Sequence, residues 1–469
     1  MNTSQTSNQD AKQAQCDIRP PLEKSFSHYV RQPFQNFVSN QTTGAMLLLA
    51  ATILALYLSN SEFSHAYHAL EDIKLGFFAD NTSFELSAHE WINDGLMVLF
   101  FFMLGLEVKR EFIAGELSSI KASSAVIMAA IGGMVCPALI YSLLNFSGEG
   151  SGGWGVPMAT DTAFALGVMA LLGGKVNPSL KIFLVALAIV DDIGSVIVIA
   201  IFYTDQIMWN SVAIAAVFLV ALVLLNRFGI RGAIWYVICS LGLWYFVLES
   251  GIHATMAGVL AALTIPARPT VHPVHLAKSM HHAAGDIDKS MQDSPIEPQE
   301  ILGDEEKDSR LSHIERKARL TRTPLRIWED LLDKPVSLFV VPIFAFLNAG
   351  TTVSQKAIED MSSSPIAWGV ILGLVVGKPI GIFSLTWLSV KTGIGQLSNS
   401  LTFKEIFGLA ILAGMGFTMS MFVALLGFES SQEHLISAKL GIMLATVIAG
   451  VLGYLWLRFV TPYQEESNT

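Results

Sequence analysis

The sequence predicts an all-α membrane protein of twelve transmembrane helices. Two inverted three-helix repeats (helices 3–5 and 10–12) carry broken helices that cross at mid-membrane, beside a small extramembrane β-hairpin. Three observations predict it: apolar runs recur along the chain, Lys and Arg cluster in alternate connections, and a few charged side chains sit deep inside the apolar runs. Of 469 residues 52% are hydrophobic and 14% charged, whereas a soluble domain carries about 25% charged residues. The unit to count is therefore the apolar span of about 20 residues that crosses a hydrocarbon core of roughly 30 Å. The lipid bilayer is the expected partner, and no nucleic acid is.

Residues 1–41 are polar, lack the apolar core and cleavage site of a secretory signal, and read as a retained cytoplasmic tail. Apolar segments follow at about 43–59, 91–106, 125–146, 156–173, 182–203, 211–226, 232–248, 252–266, 336–349, 366–390, 405–427 and 437–459. They make one transmembrane domain, 42–460, interrupted by a connection at 267–335 and followed by a cytoplasmic tail, 461–469. A cytoplasmic N-terminus places 25 Lys and Arg inside, eleven of them between Arg268 and Lys334, and leaves only Lys74, Lys356 and Lys439 outside. Cytoplasmic loops carry such an excess, and miscounting one early helix would invert every later loop. Twelve spans with both ends inside is the economical reading.

The outside stretch Ile73 to Leu86, IKLGFFADNTSFEL, has apolar residues flanking an Asp-Asn turn signal and reads as a β-hairpin. Two strands alone are marginal, so a pairing partner is expected. The 267–335 connection is rich in charge and holds five of the eleven histidines: His272, His275, His281, His282 and His313. Its composition cannot bury a core, so it reads as largely disordered, with at most one short helix near Leu311 to Leu320. Its histidines match no tight ligand spacing. Cys16, Cys136 and Cys239 are odd in number and widely spaced, which suggests neither a disulfide framework nor a metal site.

Segment five, IFLVALAIVDDIGSVIVIAIFYT, places Asp191 and Asp192 near its middle. An ionised Asp at a helix centre costs about 2.5–3.5 kcal/mol on insertion scales, a cost seldom kept for packing. A salt bridge or cap is the structural alternative. Helix neighbours project about 100° apart, so one acid can line an aqueous cavity while the other turns to a partner. Spacing leaves open which does which.

In segment four, VPMATDTAFALG, Pro157 and the Thr160-Asp161-Thr162 cluster are poor helix interior but good start signals. An extended stretch feeding a helix near Asp161 follows, and Asp161 can simply cap that helix. AGMGFTMSM in segment eleven has two glycines and Thr418 at mid-span, a second interruption. Non-helical backbone at membrane depth is tolerated only where protein or a water-filled cavity receives its polar groups, so two breaks imply a shared site. Each break lies in the middle member of three consecutive segments, as in inverted repeats. VGKPIG in segment ten places Lys378 between glycine and proline, deep in an apolar run, where its ammonium can neutralise broken-helix carbonyls or one acid of segment five. The structural alternative is a lysine that snorkels to an interface. His253 in SGIHATMAG begins segment eight near an interface, as a structural or a pH-linked histidine.

The motifs WINDGLMVLFFFMLGLEVKRE, PMATDTAFALGVMALLG, ALAIVDDIGS, SGIHATMAG, FAFLNAG, GKPIG and GMGFTMSMF, in this order between about 42 and 460, closely resemble NhaA-type sodium/proton antiporters of bacterial inner membranes. The resemblance implies an ion and proton binding pair at Asp191 and Asp192, with Asp192 the more indispensable. It places Asp161 and Thr160 at the crossing of the broken helices. Lys378 resembles the buried partner of Asp191, and Asp94 a further carboxylate on the path. Glu107, Lys109, Arg110 and Glu111 resemble a charged cytoplasmic mouth, although a solvated helix end also explains them. In WEDLLDKP, Glu329, Asp330 and Asp333 occupy a region where some relatives carry two histidines, so a relative's pH threshold does not transfer. The resemblance also implies a homodimer joined through the 73–86 hairpin, and more protons than sodium ions per cycle.

Sodium and lithium are hard cations that favour oxygen ligands, which the carboxylates of Asp191 and Asp192 provide. Burial disfavours a charged carboxyl and interacting acids titrate as a unit, so protons and a cation compete for one site. The expected activity is exchange of cytoplasmic Na+, and Li+, for external H+, with no cofactor. An intramembrane aspartyl protease is a rival, but its dyad needs carboxylates converging from separate helices, and the prominent pair here is adjacent on one. An ion channel would conduct without proton competition.

Overall fold

The computed structural model describes residues 41–79, 82–115, 120–146, 148–204, 207–269, 274, 276–281, 312, 318, 321–398, 400–429 and 431–460. Both tails, the hairpin turn Asp80-Asn81, Cys16, and the loop histidines His272, His275, His282 and His313 lie outside them, as does most of the short helix expected at 311–320. The described chain is mostly helical. In order come α1 Gln41–Ser59, α2 Ser64–Glu71, β1 Lys74–Ala79, β2 Thr82–Ser87, α3 Ala88–Ala114 and α4 Ile120–Leu144. A 3-10 stretch Glu149–Met158 leads to α5 Thr162–Leu171, α6 Pro178–Phe202, α7 Trp209–Arg227, α8 Ala233–Glu249 and α9 Thr255–Thr264. Then follow α10 Pro324–Pro335, α11 Val341–Asn348, α12 Gln355–Ser363, α13 Pro365–Lys391, α14 Phe403–Leu412, α15 Phe417–Gly427 and α16 Gln432–Val460.

Among the described residues six helices are long and apolar enough to cross a membrane: α3, α4, α6, α7, α13 and α16. Three bent pairs raise the number to nine if each is one span: α1 with α2 (116°), the 3-10 stretch with α5 (43°), and α14 with α15 (50°). The apolar helices α8 and α9 are shorter, and the ninth apolar segment is helical as the continuation of α10 through a wide turn at Val336–Val340. Large apolar side chains such as Val217, Ile234 and Phe459 stay more than 60% exposed, as expected of a surface whose solvent is lipid.

The hairpin pairs β1 and β2 antiparallel, Lys74 opposite Ser87 and Ala79 opposite Thr82, and the Trp91 indole N–H donates to the Leu75 carbonyl at 2.8 Å. The expectation for 267–335 needs correction in its described residues, where 276–281 are helical as well. Its last twelve residues form α10, because Thr323 caps the Arg326 amide and Pro324 sits at the first helical position.

Two packing relationships position the site. A buried cluster including Phe102, Leu106, Leu222, Leu243 and Ala261 ties α7, α8 and α9 to α3. Another, including Ala129, Leu184, Leu187, Ile382 and Leu409, ties α4 and α6 to α13 and α14. Without a hydrophobic driving force in lipid, helices approach closely through small residues. Here a Cβ on Gly132 of α4 would lie 2.0 Å from the Gly381 carbonyl oxygen, so backbone meets backbone. That crossing carries Lys378, one turn before Gly381, into the interior.

Candidate functional site

The first broken pair leaves helical geometry at Ala159 to Asp161, whose ψ angles at Ala159 and Asp161 are 150° and 97°. The second breaks between Leu412 and Phe417. These gaps meet. The Asp161 amide donates to the Met415 carbonyl at 2.6 Å, and the Thr160 hydroxyl lies 3.2 Å from the Ala413 carbonyl.

Asp161 serves two helix starts at once. One carboxylate oxygen accepts the Phe164 amide of α5 at 3.1 Å, and the other accepts the Thr418 amide (2.9 Å) and hydroxyl (2.6 Å) of α15. Gly416, before α15, has no side chain to cap it. A carboxylate from the opposite break therefore supplies the anion that an N-terminus favours. Thr418 is a site residue that sequence reasoning noted but did not assign. Its place two residues past a glycine break was the available signal.

From α6, Asp191 points into the same crossing. Its Oδ2 accepts the Lys378 ammonium at 2.8 Å and the Thr160 hydroxyl at 2.7 Å. Lys378, preceded by a wide π turn at Gly373–Gly377, also donates to the carbonyl of Met158, the last residue of the 3-10 stretch. One ammonium thus meets both a helix-end carbonyl and an acid. Thr160, Asp161, Asp191, Asp192 and Lys378 are all at most 5% exposed. Among the described residues neither Asp191 Oδ1 nor Asp192 Oδ1 has a hydrogen-bond partner. The arrangement offers two unengaged carboxylate oxygens, backed by one fixed positive charge, where two helices are interrupted.

The Na+/H+ antiporter 1 family model matches residues 35–457. The chain belongs to this family. A Na+/H+ antiporter NhaA from Sulfurimonas denitrificans is 43% identical over 440 residues, 94% of this chain and 98% of the relative. NhaA 1 from Saccharophagus degradans is 44% identical over 439 residues, 93% of each chain. NhaA 2 from Psychromonas ingrahamii is 41% identical, over 92% of this chain and 90% of the relative. Na+/H+ antiporters are transporters rather than enzymes, and the apolar helices make this family member a multi-pass membrane protein.

The remaining sequence-derived residues of this Na+/H+ antiporter family member occupy two flanks of the crossing. On one, Glu107 of α3 is near enough for its charge to act on Asp192. Lys109 donates to the Leu263 and Ile265 carbonyls at 2.6 and 2.5 Å, closing the end of α9. Arg110 bonds Glu111 at 2.9 Å and pairs with Glu329 of α10, which Arg326 also approaches at 3.3 Å. Burial pushes the Glu329 carboxyl up, against the pull of Arg110 and Arg326. Asp330 pairs with Arg322 on an exposed surface.

On the other flank, Asp94 sits in a π turn, Trp91–Leu96, and its backbone carbonyl accepts the Trp244 indole N–H at 2.6 Å. Its charged neighbours are Glu90 and Glu429, and no hydrogen bond among the described residues joins it to Asp191 or Asp192. The His253 ring lies 2.8 Å from the Tyr203 carbonyl, so it touches the end of the helix that carries the acids. Asn348 of the FAFLNAG motif went unassigned by sequence, yet it bridges His89 (3.2 Å) and Asn93 (3.1 Å) of α3.

Proposed function

We propose that the chain exchanges cytoplasmic Na+, and also Li+, for external H+ at Asp191 and Asp192, electrogenically and under pH control. The observation that carries this reading is the asymmetry of the pair. Asp191 is held by Lys378 and Thr160 through a single oxygen, while Asp192 has a buried oxygen with no partner among the described residues. A hard cation prefers such oxygens. Two buried acids that interact cannot both carry charge cheaply, so cation entry expels protons.

Asp161, bonded to both broken helices, would transmit a change at the pair to α5 and α15, and alternate opening on either side would complete the cycle. Twelve spans follow if α8, α9 and α11 are counted with the nine, as one domain over 42–460 with tails 1–41 and 461–469 in the cytoplasm of a bacterial inner membrane. Helices α4 to α6 and α13 to α16 would then be the inverted repeats, supported by their matching breaks. Arg110, Glu111 and Glu329 would form the cytoplasmic mouth with Glu107 and Lys109, and His253 and Asp94 would lie on the outer side. The hairpin would join two protomers. Removal of Ile73 to Leu86 should then halve the mass of the purified particle, and an unchanged mass would exclude it.

The test of the exchange reading is Asp192→Asn in everted vesicles. Sodium added to wild-type vesicles should dissipate an imposed pH gradient and should not do so in the variant. Full exchange in Asp192→Asn would exclude the assignment.

A further inference from the structure

Helix α6 buries the stripe Ala188, Asp191, Asp192, Ser195, Val196 and Ile199. At about 100° per residue, Ser195 stands about 40° around the axis from Asp191, between the two acids in direction and one turn further along. Residues three and four apart on a helix are neighbours, so Ser195 is adjacent to both. Its side chain is buried, 2% exposed.

A buried hydroxyl on a helix ordinarily bonds a carbonyl of the preceding turn. Thr52 does so to Leu48 at 2.8 Å and Thr386 to Ile382 at 2.6 Å. The Ser195 hydroxyl makes no hydrogen bond among the described residues, and an unmade buried bond is destabilising. Eight buried side-chain polar atoms are in that state, and three of them are Asp191 Oδ1, Asp192 Oδ1 and Ser195 Oγ. The other five are scattered: Arg231 and Thr351 in connecting segments, Ser389 on α13, Ser420 on α15 and Thr446 on α16. Unsatisfied oxygen is concentrated at one place on α6.

We propose that the Ser195 hydroxyl is a ligand of the transported cation, a neutral third oxygen beside Asp191 and Asp192 that replaces one water of the ion's shell. The inference rests on the exchange reading of the acid pair and names a residue that sets its cation affinity. With Lys181 inside and Thr204 outside, Ser195 lies on the external side of the pair. A cation leaving outward passes it last. Because the hydroxyl carries no charge and does not titrate in this range, it strengthens cation loading and leaves proton loading to the carboxylates.

The experiment is Na+ and Li+ exchange in proteoliposomes of wild type, Ser195→Ala, Ser195→Thr and Asp192→Asn across pH. Loss of the hydroxyl should raise KM for both cations roughly tenfold, the scale of a lost bond to a charged group. The factor should be the same at every pH, because only cation affinity changes, and Ser195→Thr should restore most of it. An unchanged KM in Ser195→Ala overturns the proposal. So does a rise that vanishes at alkaline pH, which assigns Ser195 to a hydrogen bond that sets proton affinity. If Ser195→Ala does not accumulate in the membrane, Ser195→Cys takes its place: a thiol suits hard cations poorly, and a KM equal to that of Ser195→Thr overturns the proposal. Asp192→Asn separates the two levels: loss of exchange there with normal KM in Ser195→Ala removes only the serine, whereas retained exchange removes the acid pair as well.

Discussion

The Lys378 ammonium lies 2.8 Å from Asp191 Oδ2, with both side chains 1% exposed, while the next residue, Asp192, has a buried oxygen without a partner among the described residues. Adjacent acids on one helix therefore sit in different electrostatic settings. One is neutralised by a fixed cation, and the other is left for a mobile one in the proposed cycle.

Removing one member of a buried ion pair leaves an uncompensated charge and costs about 3–5 kcal/mol, whereas removing both is often close to neutral. Lys378→Gln should lower the midpoint of thermal unfolding in detergent, and Asp191→Asn with Lys378→Gln should recover most of the loss. Equal midpoints for the single and double variants would contradict a pair that matters to the fold.

Asp161 caps both α5 and α15. Losing a cap costs about 0.5–2 kcal/mol per helix, so Asp161→Ala should destabilise more than Thr418→Val, which removes one hydrogen bond worth about 1 kcal/mol. Thermal unfolding of the two purified variants checks the order. A larger loss in Thr418→Val would contradict the double cap.

Close approach at α4 and α13 gives a contrast between two glycines. A Cβ at Gly132 would strike the Gly381 backbone at 2.0 Å, while one at Gly194 would meet the Met134 sulfur at 2.2 Å. Backbone cannot yield without shifting a helix, but a methionine end can. Gly132→Ala should therefore cost about 1–3 kcal/mol, the range for overpacking, and Gly194→Ala less. Thermal midpoints that reverse this order would contradict the packing account.

Much of this arrangement could be read from residue order because lipid imposes hard rules. Apolar length marked the long apolar helices but not the short polar α2 and α12, and the cost of Asp191, Asp192 and Lys378 in an apolar run singled them out. Glycine and Thr-Asp-Thr clusters marked the breaks. What could not be read is long-range. Nothing local to Asp161 says that its second oxygen caps a helix more than 250 residues away, and nothing near Met158 says that its carbonyl receives Lys378. Ser195 escaped notice because a lone serine in an apolar helix ordinarily bonds its own backbone. Helix α10 was missed because its charged, amphipathic sequence carries no membrane signal, although Thr323-Pro324 is a helix start.

The most direct test is proton release on cation binding. Na+ added to the purified protein in weakly buffered solution should release protons, with Li+ acting alike, and Asp192→Asn should abolish the release. Na+ binding that displaces no protons from the wild type, or an undiminished release from Asp192→Asn, would contradict exchange at this pair.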